Sequence, residues 1–172
     1  MASSTVPRAP RGTRPCLDPD QQRFRDAMAE LPAGVTVLTT MAAAGPVGMT
    51  TSAVASLSLA PRLVLVCVAN GSGTLAEILR HRAFAVNVLA DTMAELSTAF
   101  AQGPLLERFA GVAHHVREGV PVLDGAVATI VCRVHETHPG GDHTILVGDV
   151  RHARHTGGRP LLRHRGAYRG LF

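Results

Sequence analysis

The chain contains no lysine and no tryptophan, and aromatic residues make up only 3% of it. Bases stack on aromatic platforms, so this scarcity argues against a single-stranded nucleic-acid binder. The formal net charge of +4 rests on 17 arginines alone. They are dispersed, except in the two tails, whereas a dedicated nucleic-acid surface clusters its cations. Three cysteines, Cys16, Cys67 and Cys132, form no CxxC pair and no even set. That pattern excludes a zinc ribbon and a secreted disulfide framework. No apolar run approaches membrane-spanning length. The N-terminal arginines precede no apolar signal core. The absences together predict a cytoplasmic protein in a reducing compartment, with no nucleic-acid or membrane partner.

What is present is a globular composition, 46% hydrophobic and 17% charged over 172 residues, enough for one domain with a proper core. Residues 1–17 are rich in Pro, Arg, Ser and Thr without periodicity and read as a disordered leader; 18–172 read as the folded domain. The stretch from Val47 to Thr74 organises that domain. Val54 to Leu59 alternates like a strand, Ala60-Pro61 turns, and Leu63 to Val68 reads as a fully buried strand, giving an apolar core hairpin studded with small hydroxylated residues. Asn70-Gly71-Ser72-Gly73-Thr74 then opens a helix over Leu75–His81. Free amides at such a helix start form a seat for phosphate.

Elsewhere, Asp18-Pro19 opens a helix whose Phe24, Ala27, Met28 and Leu31 are expected to pack inward. Val35–Thr40 and Phe84–Leu89 read as strands; Asn87 in the latter is either paired within the sheet or facing a ligand. Asp91 is expected to cap a third helix carrying Met93, Leu96 and Phe100 on one side. The region around His114-His115 reads as polar and flexible. Gly125–Val134 and His143–Val150 form a hairpin across Pro139-Gly140-Gly141-Asp142. Many strands with short turns and three brief helices predict a mainly β chain, closed or half-closed as an antiparallel barrel.

Several segments resemble, in order and spacing, the flavin reductase family, the small reductase partners of two-component flavin-dependent monooxygenases. They are Phe24-Arg25-Asp26-Ala27-Met28, Pro32-Ala33-Gly34-Val35-Thr36-Val37, Gly48-Met49-Thr50-Thr51-Ser52, Ser56-Leu57-Ser58-Leu59, Arg108-Phe109-Ala110-Gly111, Gly141-Asp142-His143-Thr144 and Arg165-Gly166-Ala167-Tyr168. The resemblance spans about Gln22 to Leu171. It implies an FMN-binding split β-barrel, a Greek-key antiparallel barrel with short peripheral helices. It also implies an NAD(P)H:flavin oxidoreductase that binds FMN or FAD, takes hydride from NADH or NADPH, works as a homodimer with the flavin near the subunit interface, and supplies free reduced flavin to a partner monooxygenase. Carried over, Thr50, Thr51, Ser52, Ala53 and Val54 line the isoalloxazine, Ser56 and Leu57 continue that wall, and Gly71, Ser72, Gly73 and Thr74 hold the phosphate end. Asn87 joins the cofactor set, and His143 sits near the nicotinamide as the catalytic candidate. Ser52 stands where the family often has Asn, Ala60-Pro61-Arg62 replaces acidic-Pro-Pro, and the phosphate loop lacks its usual basic residue. Backbone amides and the hydroxyls of Ser72 and Thr74 are expected to serve instead, with Arg80 or Arg82 as a distant cation.

Hydride transfer needs two stacked rings and little covalent help from protein, so the lack of a nucleophile–base triad fits this chemistry without pointing to it. Two other readings compete. A metal site could draw on His135, His138, Asp142 and His143, but His135 and His138, three apart on a strand, face opposite sides; no metal is expected. A non-catalytic flavin- or haem-binding barrel is the other. Arg163, Arg165 and Arg169 read as solvated or as contacts to a dinucleotide.

Overall fold

A computed structural model describes residues 17–171. The leader expected over 1–17, with Cys16, therefore lies outside the described residues except for Leu17. In chain order the elements are α1 (Pro19–Ala29), β1 (Ala33–Gly34), β2 (Thr36–Ala42), β3 (Gly45–Thr51), β4 (Val54–Leu59), β5 (Arg62–Ala69), α2 (Gly73–His81) and β6 (Ala83–Val88). A 3-10 turn, Asp91–Met93, leads into α3 (Ala94–Gln102). Then follow β7 (His114–Arg117), β8 (Val120–Leu123), β9 (Ala128–Gly140), β10 (His143–His155), β11 (Leu161–His164) and β12 (Ala167–Gly170).

Seven strands form one antiparallel sheet in the order β3-β2-β6-β9-β10-β5-β4. Its two edge strands, β3 and β4, are joined in sequence by Ser52 and Ala53 alone. Three residue steps span at most about 10 Å, so the sheet must curl until its edges nearly meet. The result is a barrel with a seam, the split β-barrel expected. Inside it, Leu38, Val64, Val66, Val68, Phe84, Val86, Cys132 and Leu146 make the main core, with Leu75 and Ile78 of α2. A small sheet, β1-β11-β12, closes one end over Val35, Leu89, Phe100 and Leu161.

Gly148 faces this core where Phe84 and Cys132 crowd it; a Cβ there would lie 2.7 Å from Phe84 Cζ and 3.0 Å from Cys132 Cβ. Gly148→Ala should therefore cost about 1–3 kcal/mol in urea unfolding, as overpacked cores do. Burial and the Asp149 carboxylate push the Cys132 thiol up to about 12, so it should resist alkylating reagents in the native protein.

Several expectations need correction. The face of α1 does not pack inward within the chain: Phe24 and Leu31 are 70% and 63% exposed, although Asp18 and Gln21 form the capping box that starts the helix. β4 is not a core strand but an exposed edge, with Leu59 86% exposed; a bulge between Ser56 and Ser58 breaks its alternation. β5 is buried on one face only, through Val64, Val66 and Val68. Asp91 caps nothing; it sits in the 3-10 turn and pairs with Arg159 at 3.0 Å. The stretch at His114-His115 is not a flexible loop but strand β7, paired to β8 through a Glu118-Gly119 turn with both φ positive.

Candidate functional site

The seam places the hydroxylated segment where the barrel fails to close. Thr50 and Thr51 end β3, Val54 begins β4, and Ser52 and Ala53 cross between them, exposed. The crossing is pinned by hydrogen bonds. Thr36 Oγ1 donates to the Thr51 carbonyl at 2.7 Å, and the Cys67 amide donates to the Ala53 carbonyl at 2.9 Å. Thr50 spends its hydroxyl proton on the Ser97 carbonyl at 2.6 Å. Thr51 Oγ1 instead accepts from the Ala53 amide at 3.2 Å, which keeps its own O–H available to a planar ligand. Together these bonds hold a shelf of small side chains.

At one end of the shelf, Thr50, Gly71, Ser72, Gly73, Leu105 and Arg108 line a cleft of about 310 Å³. Ser72 is the N-cap of α2, its hydroxyl accepting from the Leu75 amide at 3.4 Å. The first amides of a helix have no partner within it. At Gly71 nothing stands within 4 Å of a notional Cβ, so the loop backbone is open to approach. Thr74, expected at the phosphate end, is instead fully buried and does not line the cleft. Its Oγ1 is the buried polar side-chain atom without a partner among the described residues. The fit to a phosphate anion rests on Ser72, Gly71 and the open amides.

The cation that completes the cleft is neither arginine expected. Arg80 is paired with Glu77 at 2.5 Å. Arg82 sits in the left-handed C-cap of α2 and donates to the Val134 carbonyl at 3.1 Å. Arg108 takes the place instead. Its Nε donates to the Gly103 carbonyl at 2.9 Å and its Nη1 to the Gly48 carbonyl at 2.7 Å. Burial lowers its pKa from the ordinary arginine value, yet a guanidinium stays charged. With five donors and two anchored, it keeps a fork for an anion. In the sequence Arg108 stands within a family motif that attaches no role to it. It lies in an irregular stretch between α3 and β7, where no periodicity marks it.

His143 opens β10 opposite Ala69 of β5. Its Nδ1 lies 2.7 Å from Asp142 Oδ1. An ionised carboxylate only accepts, so Nδ1 carries the proton and Nε2 is left for a ligand. That hydrogen bond, with the imidazole's charge, holds the Asp142 carboxyl below its usual range. The contact therefore persists above that range and is lost as pH falls through the depressed value. Asn70 ties this turn to the phosphate loop. Its amide donates to the Asp142 carbonyl at 3.0 Å, and its Oδ1 accepts from Thr144 Oγ1 at 2.8 Å.

The remaining candidates divide. Ser56 and Leu57 run along the exposed β4 edge beyond Val54. Asn87 does not face a ligand. It is fully buried, its Nδ2 donating to the Val37 carbonyl at 3.0 Å and to Thr39 Oγ1 at 3.1 Å, and its Oδ1 accepting from the Leu123 amide at 2.9 Å. It belongs to the joint between the sheet and β8. In its place the structure brings in arginines from both ends of the domain: Arg25 of α1 and the C-terminal Arg163 and Arg165 line a cleft of about 460 Å³ together with Ser52 and Ala53. Arg165 is held by Glu30 at 2.7 Å, and Arg163 lies over the Tyr168 ring, 5.8 Å from its centroid.

At the level of families, residues 28–171 match the flavin reductase like domain. The chain belongs to this family. Among characterised relatives, it is 39% identical over 149 residues to the reductase component of a 4-nitrophenol 4-monooxygenase/4-nitrocatechol 2-monooxygenase of Rhodococcus opacus, covering 87% of this chain and 80% of that one. It is 38% identical to the NADH-dependent FMN reductase AsuE2 of Streptomyces nodosus subsp. asukaensis, covering 90% and 86%. The solved structure of the Streptomyces globisporus C-1027 NADH:FAD oxidoreductase SgcE6 superposes with a TM-score of 0.85 at 32% identity, covering 94% and 99%. As a flavin reductase family member the chain is an oxidoreductase, built on the split barrel described above. Among the described residues no helix is long and apolar enough to cross a membrane.

Proposed function

We propose that this chain reduces FMN or FAD with NADH or NADPH and passes the free reduced flavin to a separate monooxygenase. The observation that carries the reading is the shelf at the barrel seam, with a phosphate-fitting cleft at one end and basic side chains beside it. A bound flavin supplies the hydride acceptor, its N5. The protein's own part is to orient and to exclude water. Arg108 and the amides at the start of α2 hold the phosphate, Thr51 and Ser52 donate to ring heteroatoms, and the small side chains from Ser52 to Val54 leave room above the ring. His143, oriented by Asp142, uses Nε2 to hold the nicotinamide end.

The homodimer reading draws support from the outer face of the sheet. Leu63, Leu65, Cys67 and Ala69 of β5, Ile145 of β10 and Ala55 of β4 form a partly exposed apolar surface on which His143 lies at the rim. A second copy covering it would bring the nicotinamide end next to the subunit boundary. Light scattering of the purified chain should give twice the monomer mass; a monomer would remove this part of the reading.

The deciding test is loss of reduced-nicotinamide absorbance, with NADH and NADPH each crossed against FMN and FAD. Turnover in at least one combination supports the proposal, and none in all four leaves only a flavin or haem carrier. His143→Ala should raise the nicotinamide KM by roughly 10-fold, the worth of one hydrogen bond, and leave the flavin KM within about two-fold. Equal rises in both would remove His143 from the nicotinamide end.

A further inference from the structure

We infer that the chain carries a second anion site, remote from the seam, for a phosphate group presented as inorganic phosphate or as a small phosphate monoester. It lies beneath the β7–β8 hairpin, where His115, Arg117, Asp124, His152, Arg154 and Thr156 line a cavity of about 200 Å³. His152 lies nine residue steps along β10 from His143, roughly 30 Å at strand rise, so one ligand on the shelf does not fill both.

A backbone irregularity builds the site. β10 pairs Val150 with Cys132 and then His152 with Val131, so Arg151 is an extra residue, a bulge. A one-residue slip moves every following side chain to the other face. Before the bulge, Val150 points into the barrel core beside Cys132. After it, Ala153 pairs with Ile130, which packs against that core, while His152 and Arg154 pair with Val131 and Thr129. Val131 packs with Val120 and Val122 of β8. The bulge therefore turns His152 and Arg154 out of the barrel and under the hairpin that carries His115 and Arg117.

The charges gathered there are unbalanced. Asp124, the lining carboxylate, is engaged by His115 Nδ1 at 2.8 Å. Arg117 Nη2 lies 3.3 Å from His152 Nδ1. A guanidinium only donates, so His152 accepts at Nδ1 and presents Nε2–H as a further donor. Among the described residues Arg154 has no hydrogen-bond or ion-pair partner. Two guanidinium groups and an imidazole N–H thus converge on one concavity, over a buried floor of Val122 and Leu123. Planar forks of this kind match tetrahedral oxyanions. The volume suits a phosphate with a small substituent and is far below that of a drug-sized pocket.

The test uses the full chain in chloride buffer, titrated with inorganic phosphate and separately with glycerol phosphate, reading Tm. Saturable stabilisation is expected, with a Kd of about 1 mM or tighter and a Tm rise of about 4 °C at ten times Kd. Arg154→Gln should weaken it at least 10-fold, Arg154→Lys only a few-fold, and Arg108→Gln, which alters the seam cleft, should leave it in place. Tighter binding of the monoester than of inorganic phosphate identifies the substituent as part of the ligand; equal binding identifies the free anion. No saturable response in the Arg108→Gln chain, where the seam cleft is disabled, or one there that survives the further change Arg154→Gln, overturns the inference.

Discussion

Replacing Arg108 with glutamine is expected to weaken FMN binding by roughly 10- to 100-fold while leaving riboflavin binding unchanged. A hydrogen bond to a charged group contributes about 1.5–3 kcal/mol, and each 1.4 kcal/mol is about a factor of ten in Kd. Arg108 is held for this task by the carbonyls of Gly103 and Gly48, which fix the fork beside Gly71 and Ser72 before any ligand arrives. Riboflavin lacks the phosphate, so it serves as the internal control. If the substitution merely loosened the stretch between α3 and β7, both flavins would bind less well. Titration by flavin fluorescence measures each, and equal losses would remove Arg108 from the phosphate end.

Asn87→Leu should destabilise the fold by about 3–4 kcal/mol, lowering Tm by about 10 °C, with flavin affinity preserved in the cold. Leucine has nearly the same volume but none of the bonds. The Leu123 amide and the Val37 carbonyl both lose a buried partner, and an orphaned buried group costs about 1–3 kcal/mol. Thr39 Oγ1 loses the Asn87 amide as well, although it still donates to the Pro121 carbonyl. The hairpin of β7 and β8 should therefore loosen from the sheet first, visible as faster amide exchange at Leu123. An Asn87 that faced the flavin would show the opposite pattern, with lost affinity and little change in Tm.

How far the site was legible in sequence depended on whether its parts are local. The helix after the Asn70–Thr74 turn was legible because start signals act over a few residues, although it begins at Gly73 with Ser72 as its cap rather than at Leu75. So was the turn before His143, where Gly140, Gly141 and Asp142 concentrate turn chemistry. The shelf from Thr50 to Val54 could be named through family resemblance, but why it is a shelf follows from the sheet order, which places β3 and β4 at opposite edges. Arg108 and Arg25 stand inside family motifs that give them no role, and Arg163 reads equally as solvated or as a dinucleotide contact, because no periodicity marks which arginine reaches a cleft. Asn87 misled because a polar residue in an apolar strand has the same sequence appearance whether it binds a ligand or three neighbours in the chain. The strand at His114-His115 was missed because two adjacent histidines mimic a solvated loop, while its pairing depends on the positive φ of Glu118 and Gly119.

The sequence by itself determined the class of fold, most of the strands, the Asp18 cap of α1 and the family, since these follow from periodicity, capping and ordered short motifs. Tertiary structure alone decided which face each strand shows and which arginines reach the clefts. A single bulge at Arg151 reverses the facing of everything after it, and a cation 60 residues from Gly48 becomes its neighbour only once the sheet curls. Local patterning records the period of a strand; it does not record where the curvature of the sheet brings its edges together.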